Sequence, residues 1–310
     1  MPDHPQWSLQ HFPERIDMDV GLLVQQLVNG VANGMGYVLI AVGLTLVFGV
    51  LRIVNFAHGT FFMLGGYFTY YTISLLGVHY LLAVVIAAIL TGLAGVVANQ
   101  FFFRPLRKEH EFIILLSSLG LGILLTNGAE LVFGADPKYI SSGFSDETFS
   151  LGEMTVTQQR ILIFVLASVA LAFVYWFIRR TRYGKMMQAT AQHPEGAVLT
   201  GINTNFVHAY TFAIASALAG LSGALVGPTA MMFPTVGDWA VLKGFIVVVI
   251  GGLGSIAGAC IGGLLLGIVE ALGGGYVSQG FMEAIGYLLI VLVLIWRPQG
   301  LFDLSRGATK

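Results

Sequence analysis

The 310-residue chain has little charge and almost no cysteine. Asp, Glu, Lys and Arg make up 10% of it, against about 25% in a soluble chain. That is too little polar surface to clothe a globule of this size in water. The bilayer is therefore the solvent for most of the sequence, and soluble enzymes, disordered chains and disulfide scaffolds are excluded. A net charge of −1 offers no basic face to nucleic acid. The single cysteine, Cys260, cannot form an intrachain disulfide and reads as a small packing residue.

Enzymatic motifs are missing as well. Of five lysines only Lys185 follows a glycine, and Met186 comes next, so there is no Walker-type phosphate loop. The run from His110 and Glu111 through Phe112 and Ile113 has Ile114 where a zinc protease needs its second histidine. Gly220, Leu221, Ser222, Gly223 and Ala224 miss the nucleophile elbow at the last position. No catalytic residue, metal or cofactor bound by the chain is expected. Paired carboxylates at mid-membrane are also absent, which weakens an ion-coupled carrier, although such carriers can use backbone carbonyls instead.

What the chain has is apolar length: 56% hydrophobic residues, 40 glycines and a mean hydropathy of +0.82. Uncharged runs cover 21–50, 59–78, 80–103, 161–178 and 209–233, and 112–134 is broken only by Glu130. Each reaches the roughly 20 helical residues that cross a bilayer core. The fold class expected is an all-α polytopic membrane protein with about eight or nine transmembrane or re-entrant helices. A polar tail (1–20) precedes a transmembrane domain (21–303), and a C-terminal tail (304–310) follows. Glycines four apart, such as Gly254, Gly258 and Gly262, Gly263 and Gly267, or Gly223 and Gly227, mark faces where helices approach closely.

Basic residues set the orientation. Arg104, Arg107 and Lys108, then Arg179, Arg180, Arg182 and Lys185, with Arg52, Arg297, Arg306 and Lys310, are eleven of the fifteen lysines and arginines. They are assigned to the cytoplasm, which puts the loop 135–159 outside with Asp136, Asp146, Glu147 and Glu153. The run 240–272 is then too long for one crossing, at about 50 Å of helix. A break at Gly251, Gly252, Gly254 and Ser255 restores a cytoplasmic C-terminus. This break is either an element of the translocation pathway or a tight helix turn.

Asn29 and Asn33 share one face of the first span, and Asn55 and His58 flank its inner end. They are candidates for inter-helix hydrogen bonds or for the path of a small neutral or zwitterionic solute. Glu130, Lys243, Glu270 and Glu283 sit toward the outer ends of their segments, as interfacial anchors or inter-helix partners, with substrate binding the competing reading. In the basic loop 179–208, Pro194 and Glu195 start a short helix and Gly201 stops it. Between them Gly196 is followed by Ala197, Val198 and Leu199, a small apolar surface. Such a helix is a connector, or the lever by which a soluble motor drives a membrane subunit.

Seven stretches carry a resemblance: GLTLVF (43–48), NFAHG (55–59), MLGG (63–66), GIN (201–203), ALAGLSG (217–223), GGLGS (251–255) and RPQGLF (297–302). With them the chain resembles the permease subunits of bacterial ABC importers for branched-chain amino acids, most of all the shorter of two permease paralogues. Ala257 departs from the proline usual there. The resemblance implies uptake of branched-chain amino acids, or of a related small solute such as urea or an amide, across a bacterial inner membrane. It implies a second, homologous permease subunit, two ATPase subunits that use the ATP, and an extracytoplasmic solute-binding protein. The helix 194–200 would be the segment that couples to the ATPase. A stand-alone secondary transporter or channel is the alternative.

Overall fold

The computed structural model describes residues 20–145, 147–151 and 154–301. The polar tail up to Asp19, the C-terminal tail 304–310 with Arg306 and Lys310, and the loop acids Asp146 and Glu153 lie outside the described residues. Eleven α-helices follow in chain order: α1 (Val20–Leu51), α2 (His58–Leu76), α3 (Tyr80–Ala98), α4 (Glu111–Phe133), α5 (Gln158–Arg180), α6 (Arg182–Gln192), α7 (Pro194–Leu199), α8 (Thr204–Val226), α9 (Val236–Gly251), α10 (Ile256–Tyr276) and α11 (Met282–Trp296). Among the described residues seven helices are long and apolar enough to cross a membrane. Two more, α2 with 19 residues and α9 with 16, lie within the bundle between them.

The centre of the bundle is α1. Val38, Leu39, Ile40, Ala41 and Val42 are at most 1% exposed in unbroken succession, which requires a helix that is apolar all round. It is held on one side by α10 at backbone contact: a Cβ on Gly267 would lie 2.4 Å from the Gly30 carbonyl oxygen and 2.5 Å from Gly34 Cα. On the other side α8 crosses α2 and α3. A Cβ on Gly65 would stand 2.1 Å from the Gly220 oxygen, and one on Gly95 2.3 Å from Ser216 Oγ. Of the glycines read from the sequence, Gly263 and Gly267 pack on α1, Gly258 and Gly262 on α9 and Gly223 on α2, whereas a Cβ on Gly227 would meet the Ile140 side chain and one on Gly254 would meet nothing within 4 Å.

Two features were not expected from the sequence. Thr148–Leu151 and Met154–Thr157 pair as an antiparallel hairpin, β1 and β2, with Thr148 opposite Thr157 and Leu151 opposite Met154. It is fastened to the start of α1, where Gln25 donates to the Thr155 carbonyl (2.8 Å) and accepts from the Thr155 N–H (2.9 Å). The second is α6, an extra helix in the basic loop, capped by Thr181 Oγ1 accepting from Gly184 N–H at 3.0 Å.

Histidine opens three of the helices. The Nδ1 atoms of His79, His110 and His193 accept from the N–H groups of Leu81 (3.3 Å), Phe112 (3.2 Å) and Gly196 (3.1 Å) at the starts of α3, α4 and α7. Each satisfies a helical donor that would otherwise have no partner. The basic loops gather at the end of the bundle opposite the hairpin. There Arg107 donates to Asn205 Oδ1 (2.6 Å) and Tyr210 OH to the Tyr183 carbonyl (2.7 Å).

Candidate translocation cavity

Where α1, α2, α5, α8, α9 and the start of α11 meet, the bundle leaves a partly open cavity of ≈ 170 Å³. Its wall is largely aromatic and aliphatic, with Tyr37, Ile40, Phe62 and Trp239, and its polar points include Asn33 and Ser222. Tyr37, just past the midpoint of the 32-residue α1, lies at the deeper part of the cavity, while the exposed Thr229 and Ala230, past the end of α8, form its mouth. Ser222 spends its hydroxyl hydrogen on the Gly36 carbonyl at 2.9 Å. Trp239 meets Tyr37 edge-on at a centroid distance of 5.8 Å and lies 6.3 Å from Phe62.

Behind this wall is a buried ion pair. Lys243 Nζ stands 2.6 Å from Glu270 Oε1, with the two side chains 2% and 0% exposed. Tyr37 OH donates to Glu270 Oε2 at 2.9 Å. The ammonium is also ringed by three aromatic faces: those of Tyr37 and Trp239 at 5.9 Å and that of Tyr287 at 5.8 Å. The expectation that Lys243 sits toward an outer end is corrected, while Glu270 lies in the last third of α10. Lys243 is at the midpoint of α9, level with Tyr37, because the break after Gly251 folds α9 and α10 into a hairpin that brings the two charges together. Inter-helix pairing thus accounts for both, and removing one partner of such a pair costs about 3–5 kcal/mol through the charge left behind. Glu130 and Glu283, near the ends of α4 and α11, are exposed.

The other candidate residues are dispersed. Asn33 lines the cavity. Asn29, one turn earlier, accepts hydrogen bonds from Arg160 and from Gln25. Asn55 and His58 are fully buried outside the cavity wall. Asn55 Oδ1 accepts from Ala57 N–H at 3.1 Å, while both ring nitrogens of His58 are without a partner among the described residues. The glycine break is a turn packed on its own arms. A Cβ on Gly251 would fall 2.3 Å from the Gly258 carbonyl carbon, and Gly252 and Gly254 have φ of 97° and 85°, open to glycine at little cost. Ser255 Oγ caps α10 by accepting from Gly258 N–H at 3.0 Å, so the helix restarts with Ala257 in its first turn. Leu301 covers the turn from outside, donating its N–H to the Ile250 carbonyl at 2.8 Å.

At the basic end α7 has Pro194 and Glu195 in its first turn, and Gly201 ends it with φ 83°. The three apolar residues do not share one surface. Ala197 is 3% exposed and turned inward, whereas Val198 and Leu199 are 56% and 88% exposed. Six residues make fewer than two turns, so one side of α7 must seat the helix while the other projects.

Tyr37, Phe62 and Trp239 carried no sequence signal as cavity residues, since each reads as one more aromatic in an apolar run. The ion pair had one: two opposite charges alone in the run 240–272, on either side of a single glycine break. Among the described residues no three His, Cys, Asp or Glu side chains come together as a metal would require.

A bundle with seven helices able to cross a membrane is the architecture of a polytopic membrane protein. The chain belongs to the family described as branched-chain amino acid transport system, permease component, which matches residues 26–296. It is 35% identical to the permease protein BraD of a high-affinity branched-chain amino acid transport system of Pseudomonas aeruginosa, over 90% of this chain and 95% of the relative. It is likewise 35% identical to the corresponding permease protein LivH of Salmonella typhimurium, over 90% and 94%. To LivM, a further permease protein of a Salmonella typhimurium branched-chain system, it is 25% identical over 89% of this chain and 70% of the relative.

Proposed function

We propose that this chain forms the translocation pathway of an ATP-driven importer of branched-chain amino acids, as one of two homologous permease subunits. The observation that carries the reading is the family match over residues 26–296, which takes in both the cavity and α7. The similarity to both LivH and LivM of one organism supports a second, different permease as partner. Two ATPase subunits and an extracytoplasmic solute-binding protein complete the assembly. ATP is used by the ATPase subunits, and this chain binds no cofactor and catalyses no reaction. It sits in a bacterial inner membrane with its basic end and C-terminus in the cytoplasm and the β1–β2 hairpin outside.

Within this reading Asn33 lines the path directly. Asn29, Asn55, His58, Gly251, Gly252, Gly254 and Ser255 lie outside the cavity wall and act on it through the packing of α1, α2 and α10. Pro194, Glu195, Gly196 and Gly201 shape the coupling helix, Ala197 seats it, and Val198 and Leu199 meet the ATPase. The cavity's part is tested by filling it. Asn33→Trp is expected to cut uptake of radiolabelled leucine at least tenfold while the permease still co-purifies with the ATPase. Unimpaired uptake would place the path elsewhere.

A further inference from the structure

We infer that Lys243 and Glu270 are positioning residues that set the solute selectivity of the cavity by fixing the orientation of Tyr37 and Trp239. The inference rests on the reading of the cavity as the translocation path. Four helices converge on the pair: Tyr37 from α1, Trp239 and Lys243 from α9, Glu270 from α10, and Gly286 and Tyr287 from α11. Two of the three rings around the ammonium, those of Tyr37 and Trp239, are also cavity wall. One face of each is thus held by charge and another is presented to the solute.

The hold on Tyr37 is double. Its hydroxyl donates to Glu270 Oε2 at 2.9 Å and its ring lies 5.9 Å from Lys243 Nζ. Trp239 is held by the same ammonium at 5.9 Å and by its edge contact with Tyr37 at 5.8 Å. With both groups nearly or fully out of water, these interactions are not screened as they would be at a surface. Room for the carboxylate is made by Gly286, where a Cβ would fall 2.3 Å from Glu270 Oε1. A pair needed only to join α9 to α10 would not require a ring of aromatics shared with a cavity.

The test uses the complete importer in proteoliposomes, with one binding protein serving every variant, so that any change in selectivity belongs to the permease. Lys243→Met/Glu270→Gln removes both charges without leaving one unpaired, and is expected to assemble. Gly286→Ala keeps both charges but displaces the carboxylate, and so reaches the same state by an independent route. Both are expected to shift the ratio of leucine to valine uptake by about fivefold or more. Both should also raise acrylamide quenching of Trp239 fluorescence in a background where Trp7, Trp176 and Trp296 are phenylalanine. An unchanged ratio and unchanged quenching in either variant, with Asn33→Trp still blocking uptake, would overturn the positioning role and leave the cavity reading intact. Undiminished uptake by Asn33→Trp would overturn the cavity reading itself.

Discussion

Leu199→Asp is expected to release the ATPase from the permease while leaving the permease inserted and folded. Leu199 is 88% exposed at the end of a helix that Ala197 anchors, so its replacement disturbs no internal contact. Burying a leucine in a partner's groove is worth about 2 kcal/mol, or roughly thirtyfold in affinity. A carboxylate stripped of water in the same groove without a partner adds a further penalty. The complex should therefore weaken by at least about thirtyfold, and substrate-stimulated ATP hydrolysis should fall with it. Ala197→Arg is the poorer variant, because it unseats α7 and confuses loss of contact with loss of structure. In a Cys260→Ala background, a cysteine in place of Leu199 should be silent to an impermeant thiol reagent in intact cells, and one in place of the exposed Tyr139 should react. Wild-type co-purification of Leu199→Asp, or labelling at 199 from outside, would remove α7 as the coupling element.

Gly223→Leu is expected to have the larger effect on stability. A Cβ at 223 would stand 1.9 Å from the Phe62 carbonyl oxygen, so even alanine must push α2 away from α8. Backbone against backbone leaves no rotamer that relieves the clash. Overpacking of a tight core costs about 1–3 kcal/mol, and this site lies at or beyond the top of that range because the obstacle is main chain. The same displacement would move Phe62 and Ser222, both in the cavity wall. Gly120→Ala is the control. Nothing lies within 4 Å of its Cβ position on α4, and alanine in a helix interior is favoured over glycine by about 1 kcal/mol. Size-exclusion profiles of the detergent-extracted proteins during stepwise heating should show early loss of Gly223→Leu and none of Gly120→Ala. Equal profiles would mean that α2 and α8 are not in backbone contact.

Much of this architecture is legible in the sequence because the bilayer makes simple demands. A span needs about 20 apolar residues, and the runs 21–50 and 80–103 announce α1 and α3 almost to their ends. The punctuation of α7 is equally local: Pro194 and Gly201 act within one or two turns. Glycine spacing shows that Gly263 and Gly267 form a contact face, but not that Gly30 and Gly34 receive it, since pairing across 230 positions leaves no periodic trace. The β1–β2 hairpin depends on Gln25, far away on α1, and α6 is too polar to stand out in a loop already full of charge. The cavity is hardest of all. Tyr37, Phe62 and Trp239 come from three helices and acquire a common purpose only where those helices cross. Lys243 and Glu270 are legible as anchors or inter-helix partners, but that they are each other's partner appears only when the glycine turn folds one arm onto the other.

Solute movement through this chain is proposed to be driven by ATP hydrolysed on a bound partner. The most direct measurement is leucine accumulation in proteoliposomes containing the chain, its homologous permease and the ATPase subunits, with the binding protein supplied on the opposite side from ATP. Accumulation is expected to require ATP and the binding protein together and to be lost with Leu199→Asp. Accumulation without ATP, sustained by a proton or sodium gradient alone, would contradict that proposal and identify the chain as a stand-alone carrier.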